Sequence, residues 1–170
     1  MTAATFILGA VTLQRLAELV LARRNTAKLL ARGAHEIGTA HYPLIVILHA
    51  IWLGSLWIFG HGQLVSMPAL ACYLLLQALR GWIMWTLGAR WTTRILVLPG
   101  EPLVARGPYR YLRHPNYLVV TAEIALLPLT LGLPSLAVIF TVLNAAVLAL
   151  RIRTENRALS DVPSSALGPT

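Results

Sequence analysis

The chain has 170 residues, of which 57% are hydrophobic and only 12% charged, with a mean hydropathy of +0.69. Those proportions exclude an ordinary soluble domain and predict an all-α integral membrane protein. The net charge of +8 does not indicate nucleic acid, because the basic residues flank apolar runs and no soluble nucleic-acid-binding module is present. Cys72 is the single cysteine, which excludes an intramolecular disulfide and a Cys-based zinc site. His35 and Glu36 have no second His or Cys at ligand spacing, so no metal is predicted.

Residues 2–22 form the first predicted span, roughly 30 Å of helix. No basic segment precedes it and no small-residue cleavage site follows before Arg23-Arg24, so it reads as a retained span. It carries Gln14, Arg15 and Glu18, the last two at a spacing that permits an ion pair. A charge at the bilayer centre costs about 3 kcal/mol, so these side chains must face protein or each other. Residues 23–40 are polar and basic, with Leu29 and Leu30 predicting a short helix in the membrane interface, a connector or a lid.

Residues 41–60 form the second span, with Trp52, Trp57 and Phe59 predicting an aromatic belt at its far end. After a turn at Gly60-His-Gly-Gln63, residues 68–87 form the third, in which Arg80 is close enough to the end to snorkel or reach a partner. Residues 88–113 do not span. Their β-branched runs on either side of Pro99-Gly-Glu-Pro102 predict a short hairpin, which belongs in the aqueous interface.

Gly107-Pro-Tyr-Arg-Tyr-Leu-Arg-His-Pro-Asn-Tyr117 then interrupts the apolar pattern with bases and aromatics. Pro115 suits the first position of a helix, because its missing N–H would be unpaired there anyway. His114 and Asn116 therefore stand at a helix N-terminus, where free amides, a partial positive charge, Arg110 and Arg113 could hold a carboxylate or phosphate. For Arg110 and Tyr111, anchoring to lipid headgroups is the plainer role. The fourth span, residues 116–131, is about 24 Å by helical rise, short of a 30 Å core. A tight turn leads into the fifth, residues 136–150, and the two must be antiparallel neighbours. No stop signal follows, so the last helix is predicted to continue out of the membrane through Arg151, Glu155 and Asn156. Glu123, inside the fourth span, needs a partner, with Arg80 or Arg15 as candidates.

Of the 14 Lys and Arg, Arg15 and Arg80 lie within predicted spans. All the others fall on one side of a five-span topology, and the opposite loops, residues 61–67 and 130–135, contain none. The positive-inside rule makes that side cytoplasmic and puts the N-terminus outside. The helix start at His114 and the helix exit at Arg151 then meet at the cytosolic face. Together they offer a cation, a carboxylate, an amide, an imidazole and aromatic faces, enough for a zwitterionic, adenine-bearing cofactor. No phosphate loop, nucleophile elbow or HExxH occurs, which argues against a hydrolase or ATPase.

Gly107-Pro-Tyr109, Arg113-His-Pro-Asn-Tyr117, Glu123 and the closing Arg151-x-x-x-Glu155 resemble the isoprenylcysteine carboxyl methyltransferase family of integral membrane methyltransferases. The resemblance covers roughly residues 88–159. It implies S-adenosylmethionine (SAM) at the cytosolic ends of the last two spans and a lipophilic acceptor entering from the bilayer, either a prenylcysteine carboxylate or a long-chain phenolic or pyrone lipid. It implies cofactor contacts from Tyr109, Arg113, His114, Pro115, Asn116, Tyr117, Glu155 and Asn156, with Arg151 and Glu155 as catalytic residues and Arg151 toward the acceptor. One position departs: the family usually closes with paired acidic residues, and here the second is Asn156. The implied organisation is an N-terminal membrane region over residues 1–87, a catalytic region over 88–159 and a loose tail over 160–170, in a multi-pass protein of the bacterial inner membrane. Two other readings are an NADPH-dependent lipid reductase, since membrane sterol reductases carry a similar Arg-His-Pro-Asn-Tyr segment, and a non-catalytic adaptor held to anionic lipid by its basic side. The first would need additional spans. The sequence leaves the oligomeric state open.

Overall fold

A computed structural model describes residues 2–39, 42–102 and 104–160, with side chains described as far as Thr154. Five helices form one bundle: α1 (Ala3–Ala31), α2 (Tyr42–Gly60), α3 (Met67–Leu87), α4 (Pro115–Thr130) and α5 (Pro134–Ser160). Four of them, all but α4, are long and apolar enough to cross a membrane. This is a multi-pass membrane protein.

The fourth helix has 16 residues and lies inside the bundle, packed against both α3 and α5. Of its residues only Leu118 and Leu129 are exposed, so protein rather than lipid covers most of its surface. At one end of the bundle, the C-terminal end of α4 is bound to the start of α3 through the Ser66 amide and the Thr130 carbonyl, 2.8 Å apart. The opposite end collects the C-termini of α1, α3 and α5 and the start of α4, and the candidate site forms there.

The first helix does not stop at residue 22. It runs to Ala31 with Ala22, Asn25, Thr26 and Leu29 buried, so the separate interfacial helix predicted from Leu29 and Leu30 does not form. Asn25 supplies the reason: its side-chain amide donates to the carbonyls of Gly88 (3.3 Å) and Trp91 (2.8 Å), fastening this turn to the chain that follows α3. Just past the end of α1 stands Gly33, whose φ of 90° suits a residue without Cβ.

The predicted hairpin is corrected in the same way. A strand does form at Ile95–Val97 (β2), but its antiparallel partner is His35–Ile37 (β1), in the register His35 to Val97 and Ile37 to Ile95. Residues 104–106 run beside no strand, and residue 103 is outside the described residues. The belt reading of Trp52 also fails. Its indole is buried in the core with Leu8, Leu56 and Tyr73, whereas Phe59 faces outward and Trp57 is partly exposed. The predicted continuation of α5 holds, since the helix passes Arg151 without a break. The predicted tail beyond residue 160 lies outside the described residues.

Midway along the bundle a charged cluster joins three helices. Arg80 of α3 grips Glu18 of α1 with two bonds of 2.6 Å and donates to Glu123 of α4 at 2.8 Å. Arg15 bridges the same two carboxylates at 3.0 and 2.9 Å. Both expected partners of Glu123 therefore engage it. Gln77 donates to Glu123 at 2.7 Å, and Gln14 donates to Gln77 at 2.7 Å and to Glu18 at 2.9 Å. Two cations and two carboxylates cancel, which is how such groups persist where an isolated charge would be costly.

Candidate active site

The segment that opens α4 is shaped by Gly107. It starts a 3₁₀ turn, Gly107–Arg110, that packs against the end of α3. Its φ is 58°, and a Cβ there would come within 2.6 Å of Thr86 Oγ1. Gly107→Ala is therefore expected to cost about 1–2 kcal/mol in backbone strain alone, plus a steric part. Thermal unfolding in detergent measures the sum, and adding Thr86→Ala should restore only the steric share.

After the turn, His114 caps α4 without a side-chain cap bond and Pro115 is buried as the first helical residue. The rings of His114 and Tyr117, one turn apart, stack with centroids 5.1 Å apart and planes 14° from parallel. From α5, Arg151 donates from Nε to the Tyr117 hydroxyl at 2.9 Å and from its terminal nitrogen to the Thr93 carbonyl at 3.0 Å. Its guanidinium carbon lies 5.4 Å from the Tyr117 ring centre. A single side chain thus ties the end of α5 to the start of α4 and to the loop before β2.

These groups surround a cavity of about 190 Å³. Of the residues anticipated from sequence, Tyr109, Arg113, His114, Asn116, Tyr117 and Arg151 line it together. Pro115 does not line it; it is buried behind as the helix start. Glu155 and Asn156 follow Arg151 by about one turn on α5, and their side chains lie outside the described residues. Two polar atoms on lining residues are buried and have no hydrogen-bond partner among the described residues: the carboxamide oxygen of Asn116 and the indole N–H of Trp91. Leaving such groups unpaired costs about 1–3 kcal/mol each, so each would gain from a partner.

Sequence reasoning missed the wall opposite α4, made by Arg90, Trp91, Thr92 and Arg94. Their signal was an indole and two guanidinium groups within five residues between spans, and it was assigned to strand propensity alone. Each is held in place. Arg90 donates to the Pro102 carbonyl at 2.7 Å and pairs with Glu101, which also pairs with Arg32 at the end of α1. One terminal nitrogen of Arg94 donates to both carboxylate oxygens of Glu36, at 2.9 and 2.7 Å, and its guanidinium lies over the Tyr42 ring. The hydrogen bond to Glu36 raises the Arg94 pKa above its ordinary value. The N-terminal half of the chain therefore helps to fix the site through β1, Arg32 and Glu36.

The sequence model of the isoprenylcysteine carboxyl methyltransferase (ICMT) family matches residues 69–161, which include all but the first two residues of α3, the site loop, α4 and α5. The chain is also similar to the uncharacterized protein YpbQ of Bacillus subtilis (strain 168), with 39% identity over 160 residues that cover 91% of this chain and 95% of the relative. An uncharacterized protein of Haemophilus influenzae (strain ATCC 51907 / DSM 11121 / KW20 / Rd) is 26% identical over 152 residues, covering 86% of this chain and 88% of that protein. No solved structure matches the chain.

Proposed function

The chain belongs to the isoprenylcysteine carboxyl methyltransferase family, and on that premise we propose that it is a SAM-dependent O-methyltransferase acting on a lipophilic acceptor dissolved in the bilayer. The observation that carries the reading is the meeting of the α4 start and of α5 at Arg151 around one basic, aromatic cavity, whose lining residues Asn116 and Trp91 each keep a buried polar atom without a partner among the described residues. That donor set fits SAM. Arg113 and the N-terminal end of α4 would hold its carboxylate, the Asn116 oxygen would accept from its amines, and the stacked His114 and Tyr117 rings offer a face to its adenine. The cavity, about 190 Å³, is below the roughly 300 Å³ lower end of common ligand sites; the family resemblance adds Glu155 and Asn156 as further cofactor contacts.

When bound, SAM supplies a methyl group already activated by its sulfonium, so the protein's task is alignment and exclusion of water rather than strong base catalysis. Arg151 would orient the acceptor's oxygen. A carboxylate acceptor needs no deprotonation, whereas a phenol or enol would be assisted by Glu155 or His114 taking its proton. The basic end of the bundle faces the cytoplasm by the positive-inside rule, where a soluble methyl donor is accessible, and the N-terminus lies on the other side. The acceptor is a prenylcysteine carboxylate or the hydroxyl of a long-chain phenolic or pyrone lipid, and we favour the second because the architecture is compact.

The test is to incubate detergent-purified protein with methyl-labelled SAM and a total lipid extract. Label should move into an organic-phase product, and His114→Ala should abolish the transfer. Absence of any labelled lipid, together with binding of NADPH in preference to SAM, would instead support a reductase.

A further inference from the structure

A groove of about 400 Å³, separate from the pocket at the bundle end, opens between α1 and α3. Ala17 and Leu21 wall it on α1, Gly81 and Met84 on α3. Ala17, Leu21 and Gly81 are exposed within spanning helices, so the groove opens to the hydrocarbon of the bilayer. Its floor is the charged cluster, reached through Gln14 and Gln77. The floor side chains bond to one another, so an occupant has little polar demand to meet there, which selects an apolar chain over a polar head.

The groove also has a direction. α1 and α3 run in parallel toward the site end. Met84 is one turn below Leu87, which lines the pocket, and Leu21 is one turn below Asn25, which holds Trp91 of the pocket wall. Helical rise from Gln77 to Leu87 gives about 15 Å of track leading from mid-bundle to the pocket. We propose that this groove holds the hydrocarbon chain of the methyl acceptor, with the chain lying between α1 and α3 and the nucleophilic head delivered at the α4 start. The proposal rests on the methyltransferase reading and adds where the acceptor's chain lies and what sets its length. One wall, α1, is outside the segment matched by the family and the other, α3, is inside it, so the family pattern covers only half of the proposed groove.

The width of the groove is set by Ala17 and Gly81. A Cβ added at Gly81 would meet nothing within 4 Å, so the first carbon of a larger side chain stands in open space at the groove wall. The full chain in lipid nanodiscs would be given labelled SAM and paired short- and long-chain acceptors: methyl- and pentadecyl-resorcinol, and N-acetyl-S-methyl- and N-acetyl-S-farnesyl-cysteine. For whichever chemistry is methylated, Gly81→Leu should lower long-chain turnover about tenfold or more while short-chain turnover and SAM affinity stay within about twofold. Ala17→Leu should do the same from the opposite wall and serves if Gly81→Leu does not fold; Gly81→Ala should retain long-chain turnover. Long-chain turnover unchanged in both leucine variants, or equal losses for short and long acceptors, overturns the groove assignment. If the unsubstituted protein methylates none of the panel but does methylate a total lipid extract, the groove assignment to these chain classes fails while the methyltransferase reading stands; if it methylates neither, both fall.

Discussion

Glu123→Ala is expected to cost on the order of 3–5 kcal/mol, the usual penalty for removing one partner from a buried ion pair. Native proteins have only about 5–15 kcal/mol of stability in total, so the variant should be recovered poorly from membranes and unfold far below the parent temperature in detergent. Glu123 is 1% exposed and is bonded to Arg15, Arg80 and Gln77. Its loss leaves two guanidinium groups facing Glu18 alone, an uncompensated charge in the bilayer interior. The remedy tests the cause. Arg15→Gln combined with Glu123→Ala removes one charge of each sign and keeps the two-bond grip of Arg80 on Glu18, so it should recover most of the lost stability. Equal destabilisation of single and double variants would mean that packing around Glu123, rather than charge balance, holds α1, α3 and α4 together.

Arg151→Ala is expected to lower turnover about a hundredfold, the scale on which a small misplacement of reacting groups acts, while SAM affinity falls only a few-fold. The two bonds from Arg151 to Tyr117 and Thr93 add a second expectation. Lysine keeps the charge but is a point donor without the planar fork, so Arg151→Lys should recover only part of the rate. Steady-state turnover with an equilibrium binding assay separates the contributions. Loss of SAM affinity by the same factor as turnover would move Arg151 from the acceptor to the cofactor.

Much of this arrangement was legible in local sequence. Pro115 after His114 marked the start of α4, and the three-residue spacing of Arg15 and Glu18 marked a paired cluster inside the bundle. The absence of a stop signal after residue 150 foretold the long α5. The misreadings share a physical origin in contacts between residues far apart in the chain. Residues 23–31 look like an interfacial segment because their composition is polar, but Asn25 bonds to carbonyls more than sixty residues away. The partner of β2 is a three-residue strand with no alternation to betray it. Hydropathy places Trp52 and Phe59 alike in the second span, and only the neighbouring helices decide that the first is core and the second faces outward. Trp91 joined the site because Asn25 holds its carbonyl and α3 ends just before it, neither of which local propensity encodes.

The central claim is that the start of α4 and the exit of α5 make one pocket for a methyl donor. Equilibrium binding of labelled SAM to the purified protein, with NADPH as competitor and Asn116→Leu as the variant, addresses it most directly. Asn116→Leu replaces the unpaired oxygen at similar volume. The account predicts saturable SAM binding that NADPH does not displace and that Asn116→Leu weakens by about tenfold, on the scale of one hydrogen bond to a charged or buried group. Absence of SAM binding, displacement by NADPH, or undiminished SAM affinity in the variant would contradict it.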